Sequence, residues 1–157
     1  MIGGASDREI RETFPGQRFD IASLQALLSI DHAASQVRGH LERQVLAAQR
    51  LSWAGFMVLF SLRVGGTQEV ALLAAGCGLA KPTISGVVDT LTEKGHVLRK
   101  QLAGDRRRVE VSLTRKGRST IDRIVPRFIA EGARLTSHLS KGAKLDLAEK
   151  LQSIIDR

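Results

Sequence analysis

The chain has 157 residues, 43% of them hydrophobic, so it is long enough to bury a core and too apolar for an intrinsically disordered chain. Its formal net charge is +8, and its low aromatic content, with no Tyr, argues against a sheet that stacks single-stranded bases. A single cysteine excludes an intramolecular disulfide, and the four scattered histidines lack metal-ligand spacing, so we expect neither a metal nor a cofactor.

The N-terminus and the longest apolar run bear on the compartment. The N-terminal residues lack the basic-then-apolar order of a signal peptide. The longest uncharged apolar run, Val70 to Ala80, is too short to span a bilayer. We therefore expect a cytoplasmic protein with no membrane partner.

The N-terminal third predicts an irregular arm followed by a long helix. Residues 1–17 carry no helical period, whereas Phe19 to about Ala48 do, with an interruption near Asp31 and His32. An apolar stripe of this length needs a partner helix, in this chain or in a second copy. The stripe comprises Ile21, Leu24, Leu28, Ala34, Val37, Leu41 and Val45.

The next segment predicts two helices and a glycine-bearing turn. Ser52 is a candidate cap for an apolar second helix, and Thr67 for a short third helix with Glu69 in its first turn. The third helix would end in a turn at residues 76–78. A short helix, a turn with glycine and another helix are typical of a helix-turn-helix.

The helix predicted from Lys81 to Lys94 separates an apolar face from a face of small groups. Gly95 follows where a left-handed C-terminal cap is expected. Small hydrogen-bonding groups suit a recognition helix in the DNA major groove, and an ordinary amphipathic surface helix is the alternative from this stretch alone. The inner face carries Ile84, Val87, Val88 and Leu91, and the outer face carries Pro82, Gly86 and Asp89, flanked by Thr83, Ser85 and Thr90.

After this helix the period changes to that of strands. His96 to Leu102 and Arg108 to Leu113 predict two strands, joined by a turn at residues 103–107. A two-stranded ribbon with a cationic tip after a recognition helix is a wing, and an Arg at such a tip can enter the minor groove. Residues 94–118 hold nine basic and two acidic residues, which places +7 of the net charge beside the helix, as expected for nucleic-acid binding.

The C-terminal region predicts two more helices. Thr114 is a candidate cap for a long helix that Pro126 should kink, and Ser140 is a candidate cap for the last helix. The predicted fold is therefore mainly α, a winged helix-turn-helix with a two-stranded β wing, plus terminal helices that form a dimerisation domain. The boundaries are residues 1–50 and 120–157 for the helical dimerisation region and 51–119 for the DNA-binding domain.

Two stretches, GLAKPTISGVVDTLTEKGHV and DRRRVEVSLTRKG, resemble the MarR (multiple antibiotic resistance regulator) family of winged helix-turn-helix transcription factors. The Asp-Arg-Arg wing tip and the Leu113-Thr114-x-x-Gly117 helix start are the most specific parts, and the order of elements extends from Ile21 to Ile155. The resemblance implies an obligate homodimer on a pseudo-palindromic operator, with repression relieved by a small molecule or by oxidation.

The resemblance also implies roles for single residues. Arg107 would enter the minor groove, with Asp105 orienting it, and Arg99, Arg106 and Arg108 would contact phosphates. The helix residues implied to face DNA are Lys81, Thr83, Ser85 and Gly86, next to the outward-pointing Pro82.

Three positions depart from the family pattern. Ala80 stands where a Ser or Thr cap is usual, and Gly86 stands where a longer polar side chain is often found. Side-chain readout of bases would then fall to Thr83, Ser85 and the wing. Cys77 replaces a usual Leu, so we expect a small buried hydrophobe rather than a redox sensor.

Asp31, His32, His40 and Arg43 are candidates for an effector pocket, although such residues are more often solvated. Two function classes stay open: a dimeric DNA-binding regulator, and a winged-helix adaptor or antirepressor that binds another protein. The basic cluster favours the regulator, whereas an acidic wing would have favoured the adaptor. No nucleophile–base pair, paired carboxylates or phosphate loop is present, so we expect no enzyme activity.

Overall fold

The computed structural model describes residues 7–16, 20–102 and 105–156, and at Asp7 and residues 105–107 it describes the backbone alone. The chain forms two compact units, Met1–His40 and Leu41–Arg157. The architecture is mainly helical with one small antiparallel sheet, as the sequence predicts.

The first unit contains two helices where the sequence predicts an arm and one helix. Helix α1 covers Asp7–Thr13, so the predicted irregular arm is wrong for these residues. An i,i+4 ion pair from Arg8 Nε to Glu12 Oε1, 2.6 Å long, supports this single short helix. Seven residues are too few for a periodic pattern to stand out in the sequence.

Helix α2 covers Ile21–Leu41 and runs unbroken through Asp31 and His32, where the apolar pattern is interrupted. Both side chains are exposed, and a polar residue on an exposed helix face leaves the backbone hydrogen bonds intact. Asp20 begins the helix, because its carboxylate accepts from the Ser23 amide (3.1 Å) and hydroxyl (2.6 Å). These bonds, the hydroxyl bond first, lower the pKa of Asp20.

The second unit opens with irregular helix. A π-helical turn at Glu42–Leu46 and a 3₁₀ turn at Ala47–Gln49 follow α2 and reach the predicted end of the long helix. The predicted long helix is therefore not α-helical throughout. Arg50 then reverses the chain with φ = 50°. Helix α3, Trp53–Gly65, follows.

Two acceptors from different segments satisfy the start of α3. The Ser52 hydroxyl accepts from the Gly55 amide at 3.1 Å, which confirms the predicted cap. The Glu42 carboxylate accepts from the Trp53 amide at 2.8 Å. The irregular turn and α3 are thereby tied together.

Helices α4 (Val70–Cys77) and α5 (Lys81–Glu93) form the helix-turn-helix. Gly78, with φ = 62°, ends α4 in the left-handed conformation. Gly76 and Cys77 belong to α4, so the predicted turn at residues 76–78 is wrong for these two residues. The predicted Thr67 cap is wrong, because Glu69 occupies the N-cap position and Gln68–Glu69 form strand β1.

The sheet has three strands in the order β1-β3-β2, where the sequence predicts two. Strands β2 (Val97–Leu102) and β3 (Asp105–Leu113) pair antiparallel, and β1 adds to the other edge of β3 with Gln68 opposite Val111. Strand β3 begins at Asp105, so residues 105–107 belong to the strand rather than to the predicted turn. Residues 103 and 104 lie outside the described part of the chain.

Helices α6 (Arg115–Leu135) and α7 (Lys141–Ile155) complete the chain. Thr114 and Ser140 cap them as predicted, accepting from the amides three residues ahead at 2.9 and 3.2 Å. Helix α6 continues through Pro126 to its end at Leu135.

The core of the second unit lies between α3, the helix-turn-helix, the sheet and the first half of α6. An aromatic cluster joins α3 to α6, with the Phe56 and Phe128 rings stacked at 4.5 Å and Trp53 against both. Among the described helices none alone is long and apolar enough to cross a membrane, although two bent pairs reach that length and composition when joined.

Candidate nucleic-acid interface

The inner face of α5 is anchored in the core. Ile84 and Val88 are fully buried and Leu91 is 2% exposed, which confirms the predicted apolar face, while Val87 is half-buried at its margin. Gly95 caps the C-terminal end with φ = 71°, and the His96 amide returns to the Leu91 carbonyl at 2.8 Å.

The outer face of α5 presents small groups to solvent. Lys81, Pro82, Thr83 and Gly86 are exposed and Ser85 is half-buried. A Cβ atom built on Gly86 would meet nothing within 4 Å, so the backbone itself is open to a large partner there. Close approach of a helix backbone is what a groove requires.

The N-terminal end of α5 has no side-chain cap among the described residues. Ala80 holds the N-cap position in an extended conformation, and Pro82 lies in the first turn. Pro82 has no amide proton and preforms the helical φ, so it partly offsets the missing cap. The first-turn amide of Thr83 remains free of a capping side chain.

Arg99 and Arg108, both predicted to contact phosphates, are each held by a carboxylate that no local sequence pattern indicates. Arg99 on β2 pairs with Asp89 on the outer face of α5, and Arg108 on β3 pairs with Glu69 on β1. The hydrogen bond from Arg108 lowers the pKa of Glu69. Folding brings each pair together, because the partners lie 10 and 39 residues apart in the sequence.

For the predicted wing tip at residues 105–107, the structure describes the backbone alone. Asp105, Arg106 and Arg107 belong to strand β3, next to the register shift between Gln101 and Leu102. Their side chains, including the predicted minor-groove Arg107 and its orienting Asp105, lie outside the described residues.

The start of α6 anchors the wing to α5. The His96 carbonyl accepts from the Thr114 amide at 3.0 Å, and the Thr114 hydroxyl reaches the Gly95 carbonyl at 2.8 Å. A Cβ atom on Gly117 would lie 2.0 Å from the His96 carbonyl oxygen, so only glycine fits. The Leu113-Thr114-x-x-Gly117 motif therefore has a packing reason: it locks α6 against the end of α5.

Cys77 is half-buried at the edge of the core. Burial raises the pKa of its thiol, which is opposite to what a reactive cysteine needs. The predicted role as a small hydrophobe agrees with this placement.

The predicted effector residues lie on α2 and on the π-helical turn that follows it. The His32 ring lies 3.3 Å from the Gln36 amide nitrogen on the same exposed helix face, His40 is half-buried and Arg43 is exposed. Their role in an effector pocket stays a prediction. Within the described ranges, no group of three His, Cys, Asp or Glu side chains is arranged to hold a metal ion.

The fold and the α5 face together define a winged helix-turn-helix, and comparison with known proteins finds regulators that are similar to it. The MarR family model matches residues 51–109. The HTH-type transcriptional regulator YwaE of Bacillus subtilis is 28% identical over 142 residues, covering 90% of this chain and 83% of YwaE.

Two solved structures have folds similar to that of this chain. A MarR-family regulator of Rhodococcus sp. RHA1 matches with a TM-score of 0.76 and 25% identity, over 84% of this chain and 93% of that one. Bordetella bronchiseptica BpsR, whose DNA binding is regulated by 6-hydroxynicotinic acid, shares the fold with a TM-score of 0.70 and 22% identity, over 80% of this chain and 98% of its own. The chain is thus similar to transcriptional regulators, and its residues 51–109 match the model of the MarR family.

Proposed function

We propose that this protein is a cytoplasmic, homodimeric regulator that binds a pseudo-palindromic site in double-stranded DNA, with α5 of each subunit in the major groove. One observation carries the proposal: the exposed face of α5 is built from small groups around the open backbone at Gly86, while its opposite face is fixed in the core. Thr83 and Ser85 are positioned to read base edges there.

The wing supplies the second contact in this proposal. Arg107 enters the minor groove, oriented by Asp105, and Arg106 joins Arg99 and Arg108 as phosphate contacts. The Arg99–Asp89 pair is partly exposed, with 35% and 54% of the two side chains accessible. Exposed pairs of this kind contribute about 0–1 kcal/mol, so a DNA phosphate can replace Asp89 at little cost.

The terminal helices supply the dimer interface. Helix α7 buries no residue, and apolar side chains on it remain accessible, Leu145 at 63% and Ile155 at 73%. Leu27 and Leu28 on α2 are also exposed. We assign residues 1–50 and 120–157 to dimerisation and 51–119 to DNA binding, because a second copy would cover these apolar faces.

Repression released by a small molecule is the proposed mode of regulation. BpsR shows that this fold can couple DNA binding to a small ligand. A dimer bound to an operator excludes other proteins from that DNA. A ligand that favours a different spacing of the two α5 helices releases the dimer from the operator.

The test uses a duplex selected by the protein from a random pool, with a scrambled duplex as control, over a salt series. Arg107→Ala should weaken operator binding by about 2–6 kcal/mol per dimer, since a single contact contributes about 1–3 kcal/mol and is lost twice. Arg99→Ala should weaken both duplexes alike and reduce the salt dependence by about one ion per contact.

Sedimentation of the same samples should show twice the 17.1 kDa chain mass. If Arg107→Ala binds the operator as tightly as the parent at every salt concentration, the wing does not touch DNA. If a monomer binds the palindromic site at full affinity, the dimer is wrong.

A further inference from the structure

A second basic feature lies at the C-terminal end of α5, where Arg50 and Lys94 also border the groove beside Thr83 and Gly86. A cleft of about 360 Å³ opens where the 3₁₀ turn, the C-terminal end of α5 and the first turns of α6 meet. We call it the basic cleft, and the residues used below are Arg50, Lys94, His96, Lys116, Thr120 and Arg123.

Four cations line the basic cleft and none of its lining residues is acidic. Two of the cations are fixed in place, since Lys94 Nζ donates to the Arg50 carbonyl at 2.9 Å and Lys116 Nζ donates to the Lys94 carbonyl at 2.6 Å. Each ammonium keeps two further N–H donors. Arg123 is exposed and, within the described ranges, has no ion-pair partner.

His96 adds a buried polar group to this surface. The residue is 6% exposed, and its Nδ1 is buried without a hydrogen-bond partner in the described part of the chain. Burial, followed by the charges of Lys116 and Lys94, lowers the pKa of the imidazole. A buried ring nitrogen without a partner costs free energy that a ligand oxygen would recover.

We propose that the basic cleft binds a small multivalent oxyanion, a phosphate ester or a polycarboxylate. The anion would accept hydrogen bonds from the ammonium and guanidinium groups, and from His96 when Nδ1 carries the proton. Because the cleft joins the end of α5 to α6, its occupancy would bias the position of α5. Only this regulatory consequence rests on the proposed function; binding of the anion does not.

The experiment measures binding without DNA by calorimetry, using pyrophosphate and citrate as separate probes at constant ionic strength set with chloride. The variant Arg50→Gln/Arg123→Gln should bind the preferred probe at least about tenfold more weakly, since hydrogen bonds to charged groups contribute about 1.5–3 kcal/mol each. Arg118→Gln removes a charge from an exposed position of the same helix and should bind within about twofold of the parent.

The His96 ring gives a readout that a general charge effect would not move. Its NMR signal, assigned by comparison with His96→Asn, should shift on titration in the parent and not in the double variant. Saturable binding of pyrophosphate alone indicates a phosphate ligand, and saturable binding of citrate alone indicates a carboxylate; either supports the proposal.

Equal binding by the parent and the double variant, or no binding of either probe, overturns the proposal. A double variant that loses DNA affinity while the parent binds neither probe would make the cleft a contact for the DNA backbone, which also overturns it. A parent that binds an anion and shows no preference for any duplex leaves the anion site standing and refutes the proposed binding to a specific DNA site.

Discussion

Helices α5 and α7 are similar in length and differ in what covers their apolar faces. In α5 three apolar residues are almost fully buried, although the helix has no side-chain cap among the described residues. In α7 the cap at Ser140 is present and no residue is buried. Packing within the chain therefore holds α5, whereas local hydrogen bonds begin α7 and leave its apolar side chains uncovered.

This difference distinguishes what packing within one chain fixes from what it leaves open. The burial of Ile84 and Val88 is complete in one chain, so the orientation of the outer α5 face is set by the fold. Ile154 and Ile155 remain exposed in the single chain, and in the proposed dimer a second copy would cover them. The proposed DNA contact is thus organised within a subunit, and the interface of the proposed dimer would set the spacing of two such contacts.

The largest expected effect comes from comparing a truncation at a buried side chain of α5 with one at an exposed side chain of α7. Ile84→Ala should lower the free energy of unfolding by about 2–5 kcal/mol, because it leaves a cavity in the core. Ile154→Ala, at a side chain 51% exposed, should change the stability of a single chain by less than about 0.5 kcal/mol and weaken self-association instead. Urea unfolding followed by circular dichroism, with sedimentation in parallel, measures both.

Equal losses of folding stability in these two variants would show that α7 is packed in the same way as α5. Unchanged self-association in Ile154→Ala would remove this residue from the interface.

A pair of glycines tests the junction that holds α5 in place. Gly117→Ala should destabilise the fold by about 1–3 kcal/mol or more, because the new methyl group collides with the His96 carbonyl. Gly142→Ala in the first turn of α7, where the nearest atom is Ser140 Oγ at 3.9 Å, should stabilise by up to about 1 kcal/mol. Thermal unfolding of both variants is the measurement, and a Gly117→Ala protein as stable as the parent would contradict the close packing.

Lowering the pH should reduce the stability of the folded protein through His96, which lies at the junction of α5 and α6. Its pKa lies below the ordinary value of 6.5 in the folded protein, so the unfolded chain binds more protons as the pH falls. The contribution of His96 is fully present above pH 6.5 and is lost as the pH falls through its lower folded-state pKa. Urea unfolding over this range should show parent stability decreasing more steeply than that of His96→Asn; parallel profiles would exclude His96 as the cause.

The smallest expected effect is at Cys77, next to the turn before α5. Because burial raises the pKa of the thiol, little thiolate is present near neutral pH. Operator binding should be insensitive to peroxide in the parent and equally so in Cys77→Ala, measured by fluorescence anisotropy. Release from DNA by peroxide in the parent, lost on substitution, would establish a redox role.

Elements encoded by local spacing were predictable, and elements made by distant partners were not. The inner face of α5 and the caps at Ser52, Thr114 and Ser140 follow from residues within a few positions of each other. Strand β1 was not predictable, because Gln68 and Glu69 are strand only by pairing with Val111 and Glu110. The same holds at the candidate site, where small residues and clustered arginines marked the surface and nothing local marked Asp89 or Glu69 as their partners.

The sequence by itself determined the helix-turn-helix, the outward face of α5 and the basic wing, since helical and strand periods are properties of neighbouring residues. Only the tertiary structure decided that Gly117 must be glycine, that Arg99 and Arg108 are held by carboxylates, and that four cations line one cleft with His96. These features depend on pairs of residues far apart in the chain, and their contact distances follow from packing rather than from periodicity.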